Sequence, residues 1–311
     1  MGIVVIGTTF VDIKGFPEDT YIPTGRNVGT VEYIHGGVAR NVVEDIANVE
    51  LRPTFVSIVD DSPMGRDVVK KLQKHKVNCD YVLTQPDGLG LWLVVFNNDG
   101  DVAGSISKRP NAYPMVDLLE REGDKIFADA DSVVLQVDLH KDIVKKVFEL
   151  AEKYNTKLFA LVSNMSIAAE RRDFLQKFDC FICNQLEAGQ LFLDDYEGKN
   201  AQEMEAILLD KVVRANIPAM VVTLGGKGAV YANREGDHGF CAARNVQVKD
   251  TTGAGDAFCA GVSIGLTYGK TLGESVQIGT LLAASVITSS ENVCPRFQPA
   301  ELGLDVEVVD N

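Results

Sequence analysis

An α/β fold built on a mostly parallel sheet is what this 311-residue sequence predicts. Three observations predict it. Short apolar runs recur along the whole chain and read as buried strands. Amphipathic stretches with helical spacing fall between them, and strand–helix–strand order implies right-handed crossovers and a sheet covered on both faces. Two regions break this rhythm with shorter alternating pieces, which suits a small antiparallel sheet standing off the main one.

The strand expectations are residues 3–7, 54–59, 132–137, 157–162, 180–183 and 220–224. Helices are expected where Val38, Val42, Ile46 and Val49 recur, and again at 141–154 through Ile143, Val144, Val147, Leu150 and Ala151. The irregular regions are 12–34, rich in Gly, Pro and Thr, and 89–106, where Asp99-Gly100 is a hairpin signal. They are expected to form a lid within one domain spanning 1–311.

The composition narrows the function classes. Thirty basic against 44 acidic residues give a net charge of −14, which argues against nucleic acid and anionic membrane as partners. An acidic protein still binds anions where backbone N–H groups and helix dipoles supply local positive potential. No run of 18 apolar residues occurs, and Met1 to Ile6 reads as a buried strand, not a leader. Six scattered cysteines suit reduced core thiols and a cytoplasmic setting. Cys180 and Cys183 sit three apart in an expected strand and so face opposite ways, which rules out a shared metal.

One segment carries a chemical signature. Asp250-Thr251-Thr252-Gly253-Ala254-Gly255-Asp256 precedes a helix-forming run at 257–266. Gly253, Ala254 and Gly255 let a phosphate approach bare N–H groups at a helix start. Asp256 would then stand beside the phosphoryl group, placed to orient an attacking hydroxyl and take its proton. An ordinary Asp has a pKa of about 3.9. The residues alone equally allow a capped helix after a Gly turn. Upstream, Gly36-Gly37-Val38-Ala39-Arg40-Asn41 opens an expected helix, and Asp12 ends an early strand; their side chains suit paired hydrogen bonds to sugar hydroxyls. Asn184-Gln185-Leu186-Glu187 and Thr223-Leu224-Gly225-Gly226-Lys227-Gly228 each follow an apolar strand. The latter is no Walker A loop, since no Lys-Ser/Thr closes it.

Together these segments resemble the ribokinase (PfkB-type) family of sugar and nucleoside kinases. The resemblance implies a three-layer sandwich with a β lid, and an anion hole at Gly253, Ala254, Gly255 and the Asp256 amide. It implies Asp256 as base, acceptor binding by Asp12, Gly36, Gly37 and Asn41, and ATP contacts from Asn184, Thr223, Gly225 and Gly228. Glu187 would hold Mg²⁺ largely through water, and Asp250 and Thr252 border a K⁺ site in some members. Ser289–Cys294 lacks the Gly turn that completes that site. Phe10 stands where the family usually has Asn, so its ring is expected to pack on an apolar or aromatic part of the ligand. Arg40 and the spacing of the early motifs resemble pseudouridine kinases and related nucleoside kinases, which makes a ribose primary hydroxyl the expected acceptor. Free-sugar kinases, and a non-catalytic sensor on the same fold, remain alternatives. A sugar-phosphate kinase would need cations at the acceptor, where only Lys14 and Arg40 stand out. His35 borders the acceptor motif and is the histidine expected nearest the ligand. Pairing of lids between two chains is expected to make a homodimer.

Overall fold

The structure is a computed structural model that describes residues 2–306. Met1, expected to open the first strand, and residues 307–311 of the expected 1–311 domain lie outside the described residues. In chain order the strands are β1 (Ile3–Ile6), β2 (Phe10–Pro17), β3 (Gly29–Gly36), β4 (Thr54–Val59), β5 (Asn78–Thr84), β6 (Gly90–Phe96), β7 (Val102–Lys108), β8 (Ser132–Gln136), β9 (Lys157–Leu161), β10 (Cys180–Asn184), β11 (Ala219–Thr223), β12 (Gly228–Asn233) and β13 (His238–Ala242). The helices are α1 (Val38–Asn48), α2 (Pro63–Lys74), α3 (Met115–Ala128), α4 (Lys141–Tyr154), α5 (Met165–Ala169), α6 (Gln185–Phe192), α7 (Ala201–Arg214), α8 (Ala254–Thr267) and α9 (Leu272–Ile287).

The large sheet runs β13-β12-β11-β10-β9-β8-β1-β4-β5. All pairs from β11 to β5 are parallel, and β12 and β13 add an antiparallel edge. Alternation along the strands builds two cores. Val4, Ile6, Val133, Leu135, Phe181 and Cys183 point into one, under α3, α4, α6 and α7. Ile3, Val5, Val134, Cys180 and Ile182 point into the other, under α1, α2, α8 and α9. The outcome is a three-layer ribokinase-like α/β sandwich. Cys180 and Cys183 are both buried, on opposite faces. Burial pushes both thiols well above the ordinary range.

The expected helices and central strands are present, with ends moved by a residue or two. The strands β5, β12 and β13 were not expected. Each is short, polar or half-exposed, so it lacks the continuous apolar run of a central strand. No helix among the described residues is long and apolar enough to cross a membrane.

The small sheet runs β3-β2-β6-β7. Its two antiparallel pairs, β2–β3 and β6–β7, come from the two expected lid regions. They join through a parallel β2–β6 pairing, in which Asp12 lies opposite Trp92. Trp92 in turn lies opposite Ser107 on β7. This cross-strand row faces the C-terminal edge of the large sheet, the edge at which ligands bind in open α/β sheets.

Candidate active site

The end of β1, the end of β8 and the turn after β9 meet the lid around a cavity of about 780 Å³. Thr8, Gln136, Asp138, Ser163 and Asn164 supply its floor, and Phe10, Asp12, Trp92 and Ser107 line it from the lid. Gly37, Asn41 and Asp256 also line it. Residues 12, 37, 41 and 256 are thus brought together from three separate parts of the chain.

Each of these groups has a local cause. Asp12 sits on β2 opposite Ile34, and a Cβ on neighbouring Gly36 would fall 2.6 Å from the Asp12 carboxylate. Gly36 therefore keeps the space that the carboxylate occupies. Gly37 begins α1 with φ of 93°, and a Cβ there would press on the Thr8 carbonyl and the Phe10 amide. Burial raises the Asp12 pKa, and Lys14 and Arg40 pull it back. The Phe10 ring packs against Gly90, where a Cβ would lie 2.6 Å from the ring.

Asn41, in the first turn of α1, donates from Nδ2 to Asp256 Oδ2 at 2.7 Å. Asp256 is in the first turn of α8. Burial is the largest influence on it and pushes its pKa up to about 7; the Asn41 hydrogen bond and the Arg40 charge lower it, while Glu187 and Asp12 raise it. The ordinary carboxylate value expected from sequence does not hold at this position. Its side chain opens on the cavity, so the proton it carries or lacks is presented to whatever binds there.

The turn before Asp256 is shaped for an anion. Gly253 caps α8 in the left-handed region, with φ of 82°. The Ala254 N–H is committed to the Thr251 carbonyl at 3.2 Å, which removes it from the expected set of free donors. The N–H groups of Gly253, Gly255 and Asp256 have no acceptor among the described residues. A Cβ on Gly255 would meet nothing within 4 Å, so open space lies before these amides. Asp250 accepts from the Thr252 N–H and hydroxyl at 2.9 Å each, which gives this pair the role of a turn.

Asn184 and Thr223 are paired neighbours at the ends of β10 and β11, farther along the same edge. They do not line the cavity. Gly225 and Gly226 face open space, whereas Gly228 is needed because a Cβ would strike the Cys241 carbonyl at 2.1 Å. Asn184 and Glu187 form a reciprocal helix cap, at 2.8 Å in each direction. That cap uses one carboxylate oxygen, Oε2. Burial raises the Glu187 pKa, and the Asn184 N–H lowers it. No group of three His, Cys, Asp or Glu that could hold a metal exists among the described residues. The cap leaves Glu187 Oε1 outside it, a single oxygen donor of the kind that would suit an ion keeping most of its water, as Mg²⁺ does.

Residues 2–294 match the pfkB family of carbohydrate kinases. The chain belongs to this family. It is similar to the guanosine-inosine kinase of Exiguobacterium acetylicum, 32% identical over 292 residues that cover 93% of this chain and 95% of that one. The pseudouridine kinase of Escherichia coli strain K12 is 23% identical over 276 residues, covering 88% and 87%. In fold it resembles the ribokinase of Arabidopsis thaliana solved with ribose and ATP, with a TM-score of 0.80 at 19% identity over 96% of this chain and 97% of that one. The protein is thus a pfkB-family sugar or nucleoside kinase, a phosphotransferase with an alcohol acceptor.

Several expectations for this pfkB-family kinase move. Arg40 was expected at the acceptor, yet it is fully buried, does not line the cavity and pairs with Glu44 at 2.7 Å. His35 turns to Asp67 on α2 at 3.1 Å, and His140, capping α4, lines the cavity in its place. Sequence reasoning also missed Trp92, Arg109, Asn111, Tyr113 and Arg171 on the cavity wall. Trp92 carried a usable signal, since the lone tryptophan of the chain sits in a lid strand. Arg171, from the short turn after α5, carried none.

The Gly253 turn generates a prediction. A Cβ there would fall 2.0 Å from the Asn292 carbonyl, in a backbone region that L residues avoid. Gly253→Ala should cost about 1–3 kcal/mol of stability. Urea denaturation read by circular dichroism checks this.

Proposed function

We propose that this kinase transfers the γ-phosphoryl group of Mg-ATP to the 5′-hydroxyl of a ribonucleoside, with 6-oxopurine nucleosides such as inosine and guanosine favoured. The observation that carries the reaction is the convergence of Asp12, Asn41 and Asp256 on one cavity beside three amides that have no acceptor among the described residues. Asp12 and Asn41 suit the ribose hydroxyls. Asp256 orients the 5′-hydroxyl and accepts its proton as the bond to phosphorus forms. Its raised pKa makes it a better base than an ordinary carboxylate. The Gly253, Gly255 and Asp256 N–H groups and the start of α8 hold the negative charge of the transferred group without reorganisation. Bound Mg²⁺ would neutralise phosphate charge on the Glu187 side of the site, held there largely through water. Asn184, Thr223, Gly225 and Gly228 stand along the nucleotide side, and ATP in the related plant ribokinase supports that reading. Asp250 and Thr252 remain the candidate for K⁺.

For the base, the supports are chemical as well as comparative. Phe10 and Trp92 offer aromatic surface within the cavity. Arg171 Nη1 donates to the Val137 and Leu139 carbonyls at 2.6 and 2.5 Å, which pins the guanidinium against the cavity. A guanidinium can only donate, so its remaining N–H groups favour the O6/N7 edge of a 6-oxopurine, which only accepts, over the same edge of adenine, which presents the 6-amino group. The similarity to a guanosine-inosine kinase supports reading these nucleosides ahead of pseudouridine. Reduced thiols and a small-molecule phosphoryl transfer fit a cytoplasmic enzyme.

A homodimer through the lid is part of this reading. Alternate lid residues face away from the cavity, and Tyr33, Ile13, Leu93 and Ile106 line up across all four strands on that side. Tyr33 is 63% and Ile106 70% exposed, an apolar row that a second lid would cover.

Four measurements test this reading. In a coupled assay with Mg-ATP, with and without KCl, inosine and guanosine should exceed adenosine in kcat/KM by at least about tenfold. Preference for pseudouridine or a free sugar would reject the purine reading alone; binding without turnover of any acceptor would favour a sensor. The pH profile of kcat should rise through about 7 and level above it, because Asp256 must be deprotonated. Asp256→Asn should lower kcat about 10²–10⁴-fold while ATP still binds. Light scattering at micromolar concentration should give a dimer, and Ile106→Lys should yield a monomer.

A further inference from the structure

We propose that Arg40 is a positioning residue for phosphoryl transfer: its buried guanidinium, neutralised by Glu44, fixes the Asn41 amide against Asp256 and ties the Asn292 segment to the Gly253 turn. The proposal rests on the reading of Asp256 as the base.

The geometry is specific. Arg40 Nη1 donates to the His35 carbonyl at 3.0 Å, to Asn41 Oδ1 in a short contact, and to Asn292 Oδ1 at 3.4 Å. An arginine has no acceptor, so the Asn41 amide must turn its oxygen to Arg40. Its NH₂ then has one direction left, toward Asp256 Oδ2 at 2.7 Å. Rotating that amide by half a turn would set its oxygen against the carboxylate and repel it. The same rule orients Asn292, whose Nδ2 donates to the His35 carbonyl at 2.8 Å. The Asn292 carbonyl lies under Gly253, so Arg40 reaches both the acceptor side and the phosphate side of the site.

The charge that does this is held without water. Arg40 and Glu44 side chains are both 0% exposed, and Nη2 meets Oε2 at 2.7 Å. Lys71 on α2, about one-third exposed, reaches the other oxygen at 3.1 Å. A buried pair of this kind adds little net stability against apolar residues of similar size, so its value lies in what it orients. One turn on, Asp45 accepts from the Cys294 N–H at 2.6 Å and Asn48 donates to the Cys294 carbonyl at 2.7 Å. The polar face of α1 therefore grips the segment that closes behind Gly253.

The test uses Arg40→Met/Glu44→Leu, which removes the pair without stranding one charge, and Arg40→Lys, which keeps a cation but loses the fork. Folding is checked by circular dichroism, and acceptor binding by fluorescence of Trp92, the only tryptophan and a cavity residue. The groups facing Asp256 are Asn41, Arg40 and Asp45 from α1, Glu187 from α6 and Asp12 from β2. With Arg40 and the Asn41 bond gone, the acid limb of the kcat profile should move up by about one pH unit. Loss of position should lower kcat by roughly 10²-fold in the folded double variant. Arg40→Lys should lower kcat roughly tenfold with the limb in place, because the charge remains. A folded double variant with wild-type kcat and limb overturns the proposal; should it not fold, wild-type kcat in Arg40→Lys overturns it. A wild-type protein that binds acceptor but transfers no phosphate rejects the base reading instead. In that case, unchanged Trp92-detected acceptor affinity in both variants overturns the positioning role as well.

Discussion

The 2.7 Å hydrogen bond from Asn41 to Asp256 joins the two helices on which the proposed chemistry depends. Helix α1 brings the acceptor side, because its first turn follows the Gly36-Gly37 step at the lid. Helix α8 brings the phosphate side, because its first turn leaves amides unpaired. Both helices pack on the same face of the large sheet, so the sheet sets their spacing. On that face small residues also bring α8 close to α9: a Cβ on Gly261 of α8 would fall 2.6 Å from Gly279 of α9. Displacing one helix would separate Asn41 from Asp256 and from the unpaired amides at the start of α8.

Burial is the second constraint, and it acts in two directions. It raises Asp256 to about 7, into the range useful for a base near neutral pH. It also makes every other charge near the site expensive unless paired, which is why Arg40 has Glu44 and Glu44 has Lys71. The site is thus a carboxylate whose pKa burial has raised, beside a set of fixed dipoles, in a strongly acidic protein. Net charge −14 is compatible with binding a polyanion because the binding dipoles are local.

Much of this was legible in the sequence where one period or one turn decides the structure. The parallel strands are continuous apolar runs, and Asp99-Gly100 falls in the loop between β6 and β7. The residues at 12, 37, 41 and 256 meet in one cavity although 244 positions separate the outermost two. What was hidden depends on long-range contacts. The period of α1 reads as a surface helix with a wet polar face, yet Arg40, Asn41, Glu44, Asp45 and Asn48 are all buried. Nothing local says that residues 292–297 cover that face. Ala254 looked like a free donor until the turn to Thr251 was seen, and Arg171 reaches the cavity only because α5 folds back over the end of β8.

The central claim is that one acceptor hydroxyl lies between the Asp256 carboxylate and a phosphoryl group held by the Gly253, Gly255 and Asp256 amides. A crystal structure with inosine and a non-hydrolysable ATP analogue tests it most directly. The account places the ribose 5′-oxygen within hydrogen-bonding reach of an Asp256 oxygen, about 2.6–3.2 Å, with Asp12 and Asn41 on the other hydroxyls. A nucleoside bound in the cavity with its 5′-oxygen turned away from Asp256, or a terminal phosphate remote from the Gly255 amide, would contradict it.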